Sequence, residues 1–228
     1  KFIQNKDFNF KYIVNFSGTP YIGNEYFSDV IYQFSLRQAI EENIVKSPNW
    51  LINSSVESAN NNYQIMYQNH LENKMKYFEI KPLTIVITSD INKCYEVYEK
   101  LVKFLAKKEN TTLEKAKNKV IWVVSSKPSK GSEKERLANL KLLKLVDNPE
   151  SPIEWIISVS MLTEGWDVKN VFQIVPHDSR AFNSKLLIAQ VLGRGLRIPK
   201  VYINSNKDIK VRIYNHIRFS QEIKNLFD

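Results

Sequence analysis

Leu83-Thr84-Ile85-Val86-Ile87-Thr88 decides the fold. Apolar, mostly β-branched residues run unbroken for the length of one strand, with a proline before them and Ser89-Asp90 after. A strand that is apolar on both faces is covered on both faces, which is the signature of a parallel sheet rather than a half-solvated antiparallel one. Ser89 or Asp90 can cap a helix from about Asn92 to Lys107, and the alternation then repeats. Val120 to Val124, Ile153 to Val159 and Val171 to Val175 read as further strands, and Lys210 to Tyr214 as a possible last one. Ser132 and Glu135 are spaced as a capping box that opens a second helix, and Phe182 to Leu192 reads as another. The fold class expected is α/β, a parallel sheet with helices on both faces.

Upstream of Pro82 the pattern is weaker. Tyr12 to Phe16 reads as a buried strand ended by the turn Ser17-Gly18-Thr19-Pro20, Val30 to Phe34 as another, and Leu36 to Ile44 as a short helix. Residues 46 to 62 lose periodicity, with Ser47-Pro48-Asn49 and Asn60-Asn61-Asn62 as turn or linker material, and a helix is expected from about Ser55 to Phe78. The domain boundary is therefore placed between about 45 and 81.

The 228 residues carry a net charge of +9, which favours a polyanionic partner, most simply nucleic acid. Cys94 is the single cysteine, so no internal disulfide forms and no cysteine-based zinc site exists; a reducing, cytoplasmic compartment is expected. His70, His177 and His216 match no metal-ligand spacing and read as surface or satisfied polar residues, so no protein metal site is expected. No apolar run is long enough to span a membrane, and no signal region opens the chain. A start at Lys1 rather than at methionine points to a piece of something longer.

Positive charge is otherwise carried by lysine, 26 against seven arginines, yet Arg194 and Arg197 stand three apart beside Gly193 and Gly195 in Gln190-Val-Leu-Gly-Arg-Gly-Leu-Arg197. A guanidinium fork grips phosphate oxygens bidentately, which an ammonium cannot. The loop Ser160-Met-Leu-Thr163-Glu-Gly165-Trp-Asp167 follows the third strand, so the expectation places it at the carboxyl edge of the sheet, on one rim with the arginines.

At these residues the chain resembles a known family. Ser-Gly-Thr-Pro at 17–20, Thr-Glu-Gly-Trp-Asp at 163–167 and Gln-x-x-Gly-Arg-x-x-Arg at 190–197 look like motifs III, V and VI of superfamily-two helicases, in order. Val159 to Val171, Leu192 to Arg197 and Tyr32 to Glu42 are most similar to the Res subunit of type III restriction enzymes. The resemblance implies a second RecA-like motor domain over 82–228, the tail of the first over 1–45, and a connection over 46–81. It implies an ATP-driven DNA translocase or helicase, with double-stranded DNA and a methyltransferase (modification) subunit as partners and ATP with Mg²⁺ as cofactors. Arg194 and Arg197 would be arginine fingers supported by Gln190. Gly165, Asp167 and Gly193 would contact the nucleotide, and Ser17, Gly18 and Thr19 would couple hydrolysis to movement. Ser160, Thr163 and Thr88 would touch the nucleic-acid backbone.

None of the six glycines fits a Gly-x-x-x-x-Gly-Lys-Ser/Thr phosphate loop, so this segment alone is expected not to hydrolyse ATP. A nuclease domain, if the protein has one, is expected beyond Asp228. Two alternatives share the sequence evidence: a DNA-repair or phage-defence helicase without a nuclease, and a stand-alone nucleic-acid-binding α/β module.

Overall fold

The computed structural model describes Val14 and residues 21–22, 25–26, 30–52, 59–159, 167–177, 193–203, 205 and 207–215. The chain divides into two compact units, Lys1–Phe34 and Ser35–Asp228, so the division falls ahead of the expected boundary region. In the first unit β1 (Tyr21–Ile22) and β2 (Glu25–Tyr26) form a short antiparallel ladder. Of the strand expected over 12–16 only Val14 is described; it is 61% exposed and not in a strand. The strand expected over 30–34 does not form: Ile31 and Tyr32 are exposed and no described neighbour pairs with them. A β-branched run without a pairing edge leaves its backbone to water.

The second unit contains a six-stranded, wholly parallel sheet. Its strands are β3 (Ser47–Ile52), β4 (Leu83–Ile87), β5 (Val120–Val123), β6 (Trp155–Ser158), β7 (Val171–Pro176) and β8 (Lys210–Asn215), in the spatial order β3-β8-β7-β4-β6-β5. The α/β parallel architecture read from the apolar runs is the one observed. Alternate residues of each strand sort to opposite faces, as the pleat requires. Ile85, Ile87, Ile121, Val123, Ile156, Ile174 and Ile213 join one core cluster with Leu143, at the end of α5 (Glu133–Leu143). Val86, Val120, Trp122, Trp155, Ile157 and Val175 join the other, with Val97, Leu101 and Leu105 of α3 (Ile91–Lys108) and Tyr63 and Met66 of α2 (Ala59–Lys76). Each aliphatic side chain buried this completely contributes about 1.5–3 kcal/mol.

Helix starts follow the sequence closely. Asp90, rather than Ser89, caps α3 by accepting from the Lys93 amide at 2.8 Å, and Ser132 with Glu135 forms the expected capping box of α5. A second box, Ser35 with Gln38, opens α1 (Leu36–Glu41), and Thr112 caps α4 (Leu113–Lys117), a helix the periodicity does not reveal.

The reading of 46–62 as turn or linker is corrected by β3, which pairs with β8 from Ser47↔Lys210 to Ile52↔Asn215. Pro48 and Asn49 look like turn residues, but β3 is an edge strand bonded on one side only. Edge positions tolerate proline, which has no amide hydrogen to give.

The helix α2 is held to the sheet by polar contacts as much as by apolar ones. The Thr84 hydroxyl accepts from Gln173 Nε2 (3.2 Å) and meets His70 Nδ1 at 3.0 Å, so it donates there and leaves Nε2–H to donate to Glu154 Oε2, also 3.0 Å away. Lys74 donates to the other Glu154 oxygen at 2.8 Å. Burial lowers the pKa of His70 against the pull of Glu154, which keeps the ring neutral. Burial pushes the Glu154 carboxyl up, but the hydrogen bonds from His70 and Lys74 and the charge of Lys74 outweigh it and hold it below the usual carboxylate range. The order carboxylate, imidazole, hydroxyl is that of a catalytic relay, yet Thr84 is 0% exposed and no substrate can reach it. It is a brace, and His70 is the satisfied polar residue its sequence context predicts.

Candidate functional site

The arginine segment is fixed from beneath. Residues 193–195 are helical, Leu196 is fully buried in the core beside Ile174, and Arg197 forms an antiparallel bridge with Val45. The Lys46 amide donates to the Leu196 carbonyl at 2.7 Å. A Cβ at Gly195 would lie 2.5 Å from Cδ1 of the buried Ile174 and force that side chain to shift, whereas among the described residues a Cβ at Gly193 would meet nothing within 4 Å. Gly195→Ala is therefore expected to destabilise the fold by about 1–3 kcal/mol, the usual cost of overpacking a filled core. Gly193→Ala should unfold within about 0.5 kcal/mol of wild type by urea titration. Equal midpoints for the two variants would refute this packing role.

The deepest part of the arrangement is Lys46, 0% exposed. Its Nζ donates to the carbonyls of Lys169 (2.7 Å), Val171 (2.6 Å) and Gly195 (3.1 Å) and lies 4.5 Å from the Phe172 ring centre. An ammonium has three donors, and three carbonyls from two separate segments use them all. Burial drives its pKa well below the usual lysine range, opposed by the Asp147 carboxylate. Asp147 in turn accepts from the Lys169 and Asn170 amides at 2.8 and 3.1 Å, and burial raises its pKa against those bonds. The strand β3, the lead into β7 and the arginine segment are thus clamped at one point.

On the surface above this clamp, Arg197 Nη1 donates to Asp167 Oδ1, and Lys169 Nζ stands 4.0 Å from Asp167 Oδ2. The side chains are 39% and 64% exposed for Arg197 and Asp167, so the pair is open to exchange with a ligand. Arg194 is half-buried and Gly193 exposed beside them. Two residues from the separate stretches singled out by the sequence therefore meet.

The rim on which they meet differs from the expected one. The strand β6 ends at Ser158 and β7 begins at Val171, so Asp167 enters β7 from its amino end, and Val45–Lys46 likewise precede β3. In a parallel sheet a connection that leaves one strand at the carboxyl edge must return to the amino edge before the next. Asp167, just ahead of Val171, therefore lies at the amino edge of the sheet rather than the carboxyl edge. Thr88 does lie at the carboxyl end of β4, but it is 1% exposed, with its amide and hydroxyl directed at the Ser158 and Asp90 carbonyls. A hydroxyl buried in this way has no surface to offer a nucleic-acid phosphate. Ser17, Gly18, Thr19, Ser160, Thr163, Gly165 and Gln190 lie outside the described residues, as does the helix expected over 182–192.

No family model matches this chain, and no curated protein does.

Among the described residues no group of three or more His, Cys, Asp or Glu side chains is placed to hold a metal ion. No described helix is long and apolar enough to cross a membrane. Lys46, Asp147 and Gly195 are the residues that sequence reasoning missed. The one available signal for Lys46 was a lysine directly after the apolar pair Ile44-Val45, and among 26 lysines that is faint.

Proposed function

We propose that this chain is the arginine-bearing portion of an ATP-driven DNA translocase of the superfamily-two kind, similar to the Res subunit of type III restriction enzymes. The observation that supports the reading best is the meeting of Asp167 and Arg197, 30 residues apart, at one rim of a parallel sheet. A bound nucleotide supplies the phosphoryl bond whose hydrolysis drives movement. This chain's part is to present positive charge where negative charge develops. Arg197 would exchange its carboxylate partner for a phosphate, with Arg194 and Lys169 adding charge beside it. Asp167 would then be left to accept a hydrogen bond from a sugar hydroxyl. The phosphate chain itself must be cradled elsewhere, because no Gly-x-x-x-x-Gly-Lys-Ser/Thr occurs among these 228 residues.

The expected result is that the full-length protein hydrolyses ATP when duplex DNA is added, and that the purified 228-residue segment does not. Phosphate release by the segment alone at the full-length rate would refute the division of labour. A full-length protein with no DNA-stimulated turnover would refute the motor reading itself.

A further inference from the structure

The C-terminal half of the exposed stripe on α3 is basic, beyond the exposed Asn92 and Glu96. Its buried side, through Cys94, Val97, Leu101 and Leu105, is committed to the core, which fixes which residues face outward. Lys100, Lys103 and Lys107 are exposed at spacings of three and four, one helical stripe, with Lys108 exposed beside them. The short helix α4 packs on α3 through the fully buried Ala116 and adds exposed Lys115 and Lys117. None of these six lysines makes an ion pair among the described residues, whereas Lys93 and Lys119 nearby are paired with Glu96 and Glu109. Between residues 100 and 117 the only other acid is Glu114; Glu96 and Glu99 stand one turn before Lys100 and Lys103 without pairing with them. Lys107 and Lys108, in the last turn, also complement the helix dipole. That role does not extend to Lys100 and Lys103, which lie further back along the helix.

We infer that the α3–α4 face is a nucleic-acid-binding surface, one that follows the phosphate backbone without reading bases, on a face of the sheet that the Asp167–Arg197 rim does not use. Lys100 to Lys107 spans about 10 Å of helix, and over that length duplex DNA presents roughly six phosphate charges. A membrane surface fits less well. An interfacial helix needs an apolar face free to enter the lipid, and here the apolar face of α3 is the core of the sheet. The inference does not depend on ATP hydrolysis.

The test is charge reversal with a matched control. In one variant Lys100, Lys103 and Lys107 become glutamate. In the other Lys134, Lys141 and Lys144 become glutamate, exposed lysines on and just after α5 on the opposite face of the sheet. Both change the net charge equally, and circular dichroism verifies that both fold. Binding of the chain to a mixed-sequence duplex is measured across a salt series. The α3 variant is expected to bind more than about tenfold more weakly near 0.1 M salt, with the slope of log K against log salt reduced by about 2–3, while the α5 variant keeps most of both. Equal losses in the two variants, or no loss in the α3 variant, would overturn the inference. So would loss of binding to phosphatidylserine vesicles with duplex binding kept, which would assign the face to a membrane. Neither variant alters Arg194, Arg197 or Asp167, so such a failure leaves the motor reading standing.

Discussion

Lys46→Met is expected to destabilise the Ser35–Asp228 unit by about 2–5 kcal/mol, the cost of leaving buried carbonyls without their donor. Methionine retains most of the length of the stem, so the variant isolates the ammonium and its contact with the Phe172 ring. Replacing buried charges by apolar residues can be neutral when both partners are replaced. Here only one partner changes, and the carbonyls of Lys169, Val171 and Gly195 stay where they are, without donors. Lys46→Arg should not restore stability, because a planar guanidinium cannot aim three donors at carbonyls converging on one point. Urea unfolding supplies the measurement. Hydrogen exchange supplies a local one: the Lys46 amide, bonded to the Leu196 carbonyl, should lose protection ahead of β4 and β6. A methionine variant within about 1 kcal/mol of wild type would show that the clamp is dispensable.

Arg194→Ala or Arg197→Ala in the full-length protein is expected to lower DNA-stimulated ATP turnover by about 10³–10⁵, the range over which an arginine that stabilises a transferring phosphoryl group acts. Stability should hardly change. The Arg197–Asp167 pair is exposed, and exposed pairs contribute about 0–1 kcal/mol. Arg197→Lys preserves the charge and loses the fork, so it should recover little. Steady-state phosphate release at saturating DNA separates the outcomes. Turnover close to wild type in both alanine variants would remove the arginines from the chemistry and leave their rim a surface ion pair. A drop in turnover matched by an equal drop in folded protein would point to structure instead.

The sheet was legible because its central strands are apolar on both faces. Leu83–Ile87, Val120–Val123 and Trp155–Ser158 are buried at every position, and such runs have few other uses in a chain of this composition. β3 was not legible, since an edge strand obeys weaker rules and Pro48-Asn49 mimics a turn. At the site, residue type and spacing singled out Asp167 and Arg197, but not their contact with each other, which depends on how distant segments fold together. The rim was misjudged because Asp167 stands just ahead of β7, and a residue that leads into a parallel strand sits at its amino edge. Thr88 was misjudged because a threonine at a strand end bonds inward or outward according to its neighbours, here the Ser158 and Asp90 carbonyls. Lys46 escaped for a general reason: what makes a lysine structural is a set of backbone carbonyls from distant segments, and backbone atoms carry no sequence.

Those distances along the chain have a consequence for biogenesis. Lys46 waits for carbonyls 123, 125 and 149 residues ahead of it, and β3 pairs with a strand that begins at Lys210. Contacts of such long sequence separation form slowly, because loop closure must precede any reward. On the ribosome, residues 45–52 emerge first among the sheet strands and find their partners last. Until β8 is released, an apolar strand edge and a charged amine that belongs indoors are both exposed to the cytosol of whatever cell makes them, which is the kind of nascent surface that chaperones bind.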